Sequence, residues 1–158
     1  MWNKKNEAKR IIKKNFYLSL ATCSNNKPWI CTLFYAIDKK FNLYFVSRKT
    51  SFHVQHLRKK PIVAFTIFDS HQKPGTGVGL QISGKVTKVK NKDFEKVIAL
   101  LRKKGHPSEN REIKHQTIIT QDFLKKNSYE IFQIQPSKIY INDKYSKTDR
   151  RFLIRNLT

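Results

Sequence analysis

The chain has 158 residues and a formal net charge of +22, from 33 Lys and Arg against 11 Asp and Glu. Hydrophobic residues make up 39% and aromatic residues 12%, which suffices for one ordinary domain and excludes a disordered chain. No apolar run approaches the roughly 20 residues of a membrane helix, and the polar N-terminus is unlike a secretion signal. Two cysteines cannot form a disulfide scaffold, so we expect reduced thiols and a cytoplasmic protein.

The positive charge permits two interpretations. A nucleic acid or another polyanionic partner would explain it. Composition would also explain it, because Lys, Ile and Asn, whose codons are A/T-rich, are abundant, whereas Arg, Ala and Gly are scarce. The basic residues are spread along the whole chain, without a single arm or stripe. We therefore favour composition and expect nucleic-acid binding to be weak and non-specific.

The first part of the chain predicts a helix followed by an antiparallel meander. Apolar residues recur at helical spacing over residues 7–15. Strand-forming residues with short polar turns between them then predict three strands, over residues 16–23, 29–37 and 43–47. Thr50 or Ser51 can cap a second helix, which ends before Pro61.

Two further strands are predicted after this helix. Residues 62–68 form an apolar run of strand length, which we expect to be buried on both faces. Residues 80–89 alternate between apolar and polar, so one face of that strand is expected to be solvated. Gly84 inside this strand predicts a bulge or a sharp bend, as the closure of a barrel requires.

The rest of the chain predicts helices and one last strand. Asn91 can cap a helix, and a further helical turn is expected near residues 121–124. A bent strand is expected over residues 129–141, broken at Pro136. The tail after it is polar and basic until residues 152–154, which can dock on the domain. Six or so strands with inserted helices indicate a small antiparallel barrel.

The junction between the third strand and the helix concentrates reactive groups. It holds three hydroxyls, two cations and one imidazole, on Ser47, Arg48, Lys49, Thr50, Ser51 and His53. Helix N-termini offer free N–H groups and the positive end of the helix dipole. A phosphate dianion needs such donors together with a neutralising charge. A capped helix with ordinary surface cations is the alternative, and the segment alone does not decide between them.

Other candidate sites have less support. His53 and His56 can share a helix face, but no third ligand is near in sequence, so we expect no metal. Cys23 and Cys31 flank the first turn and could meet across it; two buried thiols are the preferred alternative. The glycine-rich segment 73–79 lacks the Lys-Ser/Thr ending of a phosphate loop. No catalytic residue is nominated, so an enzymatic step would depend on a cofactor.

The order and spacing of these elements resemble those of a known family. The matching segments cover residues 20–22, 26–35, 43–47, 49–50, 53, 57, 61–64 and 79–84, with a weaker match over 132–139. Together they resemble the FMN-binding split-barrel family, whose best-known members are pyridoxamine 5′-phosphate oxidases. The stronger part of the resemblance lies within residues 16–90, about half of the chain.

The resemblance implies a homodimer with FMN in each of two grooves between the subunits. The flavin edge would meet the main chain of Thr32, Leu33 and Phe34. The phosphate would meet the junction over residues 47–53, and the strand that carries Gln81 would approach the cofactor. Haem or a deazaflavin in the groove is a less favoured alternative, and no membrane partner is expected.

The sequence departs from the vitamin B6 oxidases in the phosphate site. Those enzymes carry an Arg-Lys pair at the positions of Phe52 and His53, so their phosphate clamp is not copied here. Gly79 stands where they have a glutamine, and Gln81 lies two residues later on the same strand face. The tail does not match the region that binds their pyridoxal substrate. We therefore expect a small bacterial-type member of the family that does not oxidise vitamin B6.

These observations predict a mainly β fold with inserted helices, a split antiparallel β-barrel of about six strands. One domain would span residues 1–158. Its parts would be an N-terminal helix, a barrel core, a helical insertion, a last strand and a basic tail, over residues 1–15, 16–90, 91–127, 128–142 and 143–158. The expected function is an FMN-dependent oxidoreductase of unknown substrate. The alternatives are a non-catalytic flavin or haem binder and a basic nucleic-acid-associated protein with a vestigial groove.

Overall fold

The computed structural model describes residues 2–105, 121–126, 128–143, 145–146 and 148–157. Within these residues the chain forms eight strands and four α-helices. In chain order they are α1 Lys4–Lys14, β1 Tyr17–Ser24, β2 Lys27–Phe34, β3 Ala36–Ile37, β4 Leu43–Arg48, α2 Phe52–Lys59, β5 Ile62–Phe68, β6 Gly79–Lys88, α3 Phe94–Lys104, α4 Gln121–Lys126, β7 Tyr129–Asn142 and β8 Arg151–Ile154. No described helix has the length and apolar character needed to cross a membrane.

The strands form one antiparallel sheet in the order β2-β1-β5-β6-β7-β4-β3, with β8 paired to β7. Its two edge strands, β2 and β3, are separated in the chain by Tyr35 alone. Because one residue joins the two edges, the sheet must curl until they lie next to each other. This curl confirms the predicted split barrel. Tyr35 is fully buried there, and its hydroxyl donates to the Ile12 carbonyl at 2.8 Å.

The helices close the barrel and cover its outside. Asn3 caps α1, since its Oδ1 accepts from the Asn6 amide at 2.9 Å, and α1 buries an apolar stripe in the main core. The second helix packs on β1 through Val54 and Leu57. A separate apolar cluster joins α3 and α4 to the sheet, through Ala36, Tyr44, Val97, Ile98, Leu101, Leu124 and Ile131.

Two predicted strands differ from the observed ones. The expected strand over 29–37 is divided at Tyr35 into β2 and β3, which pair with different neighbours. The tail over 143–158 contributes β8, because residues 152–154 pair with the edge of β7. These two differences raise the strand number above the expected six without changing the fold.

The expected break at Pro136 is wrong. The last long strand, β7, runs through Pro136, and the irregularity lies in its pairing with β6. The register shifts between Ser83 and Gly84, which confirms the bulge predicted there. A Cβ on Gly84 would lie 2.8 Å from the Gln135 carbonyl oxygen, so the close approach of the two strands requires glycine.

Three smaller predictions are corrected. The outer face of β5 is not buried within one chain, since Ile62 is 60% exposed and Phe68 50%. Asn91 does not cap α3; it opens a 3-10 turn over Asn91–Asp93 that leads into the helix. Helical turns near 121–124 are confirmed by α4.

The two cysteines do not form a pair. Across the first hairpin Cys23 lies opposite Pro28, and Cys31 lies opposite Leu20. Cys23 is exposed, whereas Cys31 is half-buried, and burial raises the pKa of its thiol to about 11. The prediction of a redox pair is therefore wrong. The alternative of two buried thiols is wrong for Cys23, which is exposed.

Candidate cofactor site

The centre of the predicted site is a buried cluster of two hydroxyls and one imidazole. Ser47 is the last residue but one of β4, and its side chain points inward and is 6% exposed. The first turn of α2 brings His53 back over it, so that His53 Nε2 lies 2.6 Å from Ser47 Oγ. Ser51 Oγ lies 3.2 Å from the same hydroxyl. The structure thus brings together three of the side chains that the sequence nominated.

The surroundings of His53 favour its neutral form. Burial lowers its pKa below the ordinary value, and the nearby His56 lowers it further. A neutral imidazole has one donor and one acceptor nitrogen. When Nε2 carries the proton and donates to Ser47 Oγ, the Ser47 hydroxyl is able to donate its own hydrogen to Ser51 or to a bound anion. In this tautomer the cluster orients hydroxyl donors at the start of α2.

Ser51 occupies the N-cap position of α2 but does not cap it. Its side chain makes no capping bond to the helix, contrary to the expected cap, because its hydroxyl turns to Ser47 instead. Ser51 Oγ therefore accepts no hydrogen bond from the first N–H groups of α2. These N–H groups can donate to a solvent molecule or to an anion. The amides of Lys49 and Ser51 are engaged, with the Ser128 and Arg48 carbonyls at 2.9 and 3.1 Å.

The three polar side chains between Ser47 and Ser51 differ in their freedom. Lys49 and Thr50 are exposed at the mouth of the junction. Arg48 is also exposed, but its Nε donates to the Tyr129 hydroxyl at 2.9 Å and its guanidinium stacks on that ring. Lys49 is therefore better placed than Arg48 to neutralise an anion at this point.

Two aromatic rings that the sequence did not nominate, Phe52 and Trp29, flank the junction. Phe52 is 60% exposed and its ring centroid lies 5.0 Å from that of Trp29, which is 43% exposed. Trp29 comes from β2, so the pair ties the start of α2 to that edge strand. Nothing in the sequence spacing connects positions 29 and 52; only the curl of the sheet does.

The remaining candidates lie on the outer face of the sheet. Thr32 and Gln81 are both exposed. They fall in one row across the strands, since the register runs from Thr32 to Ser19, Thr66 and Gln81. Three strand spacings separate them, about 14 Å. A shallow cavity of about 290 Å³ lies along this row and is lined by Ser19, Ala21, Ile30, Thr66, Gln81 and Tyr140 among others.

Leu33 and Phe34 can contribute only in part. Leu33 points into the core and is 8% exposed, so its main chain alone can face a ligand. Phe34 packs edge-on against Tyr17, with ring centroids 6.0 Å apart. The candidate residues thus form two sets within one chain, the junction at the end of β4 and the outer row on β2 and β6.

His56 does not join His53 in a metal site. Its Nδ1 lies 3.1 Å from Thr22 Oγ1, a contact that fastens α2 to β1. Among the residues that the structure describes, no group of three His, Cys, Asp or Glu side chains could hold a metal ion.

The curled antiparallel sheet and the helices that pack on it define an antiparallel split barrel. Solved structures share this fold. A candidate pyridoxamine 5′-phosphate oxidase from Listeria innocua is 18% identical with a TM-score of 0.62, the alignment covering 88% of this chain and 98% of that one. A FAD-binding protein from Mesorhizobium loti is 15% identical with a TM-score of 0.63, covering 86% and 91%. The haem storage protein HutZ from Vibrio cholerae is 14% identical with a TM-score of 0.67, covering 89% and 95%.

Sequence comparison identifies the family. The family model described as pyridoxamine 5′-phosphate oxidase matches residues 5–141. The chain belongs to the pyridoxamine 5′-phosphate oxidase family. The UPF0306 protein PM1958 from Pasteurella multocida is 30% identical over 92 residues, which cover 58% of this chain and 62% of that protein.

Proposed function

We propose that the chain is a homodimeric FMN-binding protein that acts as a cytoplasmic, flavin-dependent oxidoreductase. The observation that carries this proposal is the hydrogen-bonded cluster of Ser47, Ser51 and His53 beside Lys49, at a helix start that Ser51 does not cap. Hydroxyl donors, main-chain N–H groups and one ammonium group are what a terminal phosphate requires. The residues present therefore fit the phosphate end of FMN.

The phosphate site would work with less fixed charge than the vitamin B6 oxidases use. Phe52 and His53 replace their Arg-Lys pair, and the surroundings of His53 favour its neutral form. Binding would depend on Lys49, Thr50 and Ser51 and on the amides of the first turn of α2. This requires the hydroxyl cluster to be held in place, and the Ser47–His53 bond does so.

The flavin ring would lie along the outer row of the sheet. Main-chain groups of residues 32–34 and the Gln81 amide offer hydrogen-bonding groups to the polar edge of the ring. When bound, the flavin supplies the redox chemistry by accepting a hydride or electrons. The chain itself would position the ring and exclude water from it.

A second copy of the chain would complete this groove. The outer face exposes Ile30 at 65%, Ile62 at 60% and Phe68 at 50%. Exposed apolar side chains on one face of a sheet are typical of a protein interface. A second subunit on this face would bury them and would cover the shallow cavity along the row.

Haem binding is the competing proposal, because two of the fold's relatives are a haem-binding protein and a haem storage protein. Flavin is favoured here because the two histidines of α2 already have partners. His53 is bonded to Ser47 inside the barrel, and His56 contacts Thr22. Either histidine would have to leave its partner in order to ligate iron.

The visible spectrum of the purified protein tests the proposal. We expect flavin bands, and a stoichiometry of one FMN per chain after reconstitution in the dark. Light scattering should give a dimer at micromolar concentration. A Soret band, or a monomer that fails to take up FMN, would contradict the proposal.

A further inference from the structure

A second region of the molecule gathers positive charge. Six lysines line a cavity of about 880 Å³ at the end of β4 opposite the junction. They come from the turn between β3 and β4, from the end of β6 and from the start of α3, and we call this region the lysine pocket: Lys39, Lys40, Lys88, Lys90, Lys92 and Lys96. The last two of these segments are continuous over residues 88–96, and the fold brings them to Lys39 and Lys40, which are distant in the sequence.

The pocket has an ordered floor. Tyr44, Gln133 and Thr87 form one row across β4, β7 and β6. Tyr44 is 6% exposed; its hydroxyl donates to Asp38 Oδ2 at 3.0 Å and accepts from Gln133 Nε2 at 3.3 Å. Val97 and Leu100 of α3 line the opposite wall. All six lysines are exposed, and they line a cavity whose floor is fixed by these hydrogen bonds.

Two carboxylates, Asp38 and Asp93, also lie in the lining and offset part of the charge of the six lysines, which leaves the lining net positive. Asp38 accepts bonds from the Asn42 side chain, from Tyr44 and from the amides of Lys40 and Asn42, so its oxygens are used within its own turn. Burial alone would raise the pKa of Asp38, but these hydrogen bonds outweigh it and lower the pKa. Asp93 lies at the start of α3. Lys88 has its own partner outside the lining, Glu130 at 2.5 Å.

We propose that the lysine pocket binds a small anion that carries two or more phosphate groups. Its volume lies within the roughly 300–1,000 Å³ that is usual for small-ligand sites. Lysine ammonium groups bind phosphate as mobile point charges, and an anion between them removes their mutual repulsion. Single-stranded nucleic acid fits less well, because it needs exposed aromatic rings for its bases. Among the described lining residues the aromatic one is Tyr44, which is buried.

Tripolyphosphate, titrated into the full-length protein at physiological salt, is the probe. The pocket variant changes one lysine from each segment: Lys39→Glu, Lys90→Glu and Lys96→Glu. The matched control changes three exposed lysines elsewhere, Lys14→Glu, Lys59→Glu and Lys73→Glu, with the same loss of net charge. We expect the pocket variant to weaken tripolyphosphate at least about tenfold, since each lost charged hydrogen bond is worth roughly that factor, and the control to change it less than about threefold.

Three results would overturn the proposal: no binding of tripolyphosphate by the unchanged protein, an equal loss in both triple variants, or inorganic phosphate binding as tightly as tripolyphosphate. A single-stranded oligonucleotide that binds more tightly than tripolyphosphate, and depends on the pocket lysines, would replace the small anion with nucleic acid. Circular dichroism melting establishes that both variants are folded. Glutamine in place of glutamate provides a second, milder pocket variant. FMN uptake is independent of this result.

Discussion

The junction after β4 and the lysine pocket stand at opposite ends of the same strand, and both have features that suit phosphate. They achieve this differently. The junction has one well-placed exposed cation, Lys49, and a set of donors fixed by the Ser47–His53 bond. The pocket has six lysines, of which Lys88 pairs with Glu130, around a floor of Tyr44, Gln133 and Thr87. The comparison predicts that oriented donors at a helix start can substitute for charge in binding phosphate.

The two regions also differ in how they are encoded. The junction is contiguous over residues 47–53, so the sequence was sufficient to nominate it. The pocket consists of two stretches, residues 39–40 and residues 88–96, that meet only after β4, β7 and β6 have paired. The compositional interpretation followed from the abundance of Lys, Ile and Asn and from the spread of basic residues along the whole chain. The lysines of residues 39–40 and 88–96 are known to lie together only once the order of the strands in the sheet is known.

Removing the Lys49 ammonium is the largest expected effect. Lys49→Ala should weaken FMN by roughly 10- to 150-fold, because a charge-assisted bond to phosphate contributes about 1.5–3 kcal/mol. Riboflavin lacks the phosphate, so its affinity should hardly change. Both affinities can be measured by the quenching of flavin fluorescence.

Lys59→Ala at the other end of α2 is the matched control and should leave both flavins unchanged. If Lys49→Ala weakens FMN and riboflavin equally, Lys49 supports the fold and not the phosphate. If it weakens neither, Arg48 and His53 are the next candidates, and the junction would no longer contrast with the pocket as a site of oriented donors.

The hydroxyl cluster provides the second prediction. Ser47→Ala removes the partner of a buried imidazole nitrogen, which costs about 1–3 kcal/mol of the free energy of unfolding. For a domain of this size the melting temperature should fall by about 2–4 °C for each kcal/mol. FMN affinity should fall as well, because the oriented donor is lost.

Thr50→Ala is the comparison for this effect, since Thr50 is exposed and lies outside the Ser47–Ser51–His53 cluster. It should leave the melting temperature within about 1 °C, in line with ordinary surface substitutions. Equal melting temperatures for Ser47→Ala and the unchanged protein would mean that the cluster does not stabilise the junction.

The fold was predictable where the signal is local, and less so where it depends on tertiary closure. Gly84 correctly predicted the bulge in β6, and the alternation of apolar and polar residues correctly predicted which face of β6 is solvated. The division of strand 29–37 was not predictable, because Tyr35 looks like any other strand residue and only the closure of the sheet sends its two sides to different edges. The exposed face of β5 was missed for a related reason: a wholly apolar strand looks the same whether its second face meets the core or another subunit.

The candidate site shows the same limit. Ser47, Ser51 and His53 were nominated together, but the sequence could not show that Ser51 would bond Ser47 and leave α2 uncapped. Trp29 was missed because its neighbour Phe52 is distant in sequence. The placement of Thr32, Gln81 and the junction around one flavin remains a prediction, since the sites lie in two sets within a single chain.

The third prediction concerns pH. The folded-state pKa of His53 lies below its ordinary value of 6.5, because burial and His56 disfavour the charged ring. Between the two values the unfolded chain binds more protons, so stability is complete above about pH 6.5 and is lost as the pH falls through the folded pKa. The melting temperature should therefore fall between pH 7 and pH 5.

His53→Gln should reduce this dependence on pH, whereas His71→Gln, in an exposed loop, should not. The comparison uses the change in melting temperature with pH, so that any general loss of stability in the variant cancels. An unchanged pH profile in His53→Gln would show that His53 is not held neutral, and the orienting role of the junction would lose its basis.

The smallest expected effect separates the number of charges from their position. Two +22 chains repel each other, so salt should strengthen the proposed dimer through screening, over a Debye length of about 8 Å at physiological ionic strength. The pocket variant and its matched control lower the net charge equally, and both should reduce the salt dependence of the dimer dissociation constant by a similar factor. Tripolyphosphate binding should differ between the same two variants.

Sedimentation at two salt concentrations provides the measurement of the dimer dissociation constant. If the pocket variant alone changes the dimer, the pocket lies at the subunit interface, and its lysines act on association through contact and not through total charge.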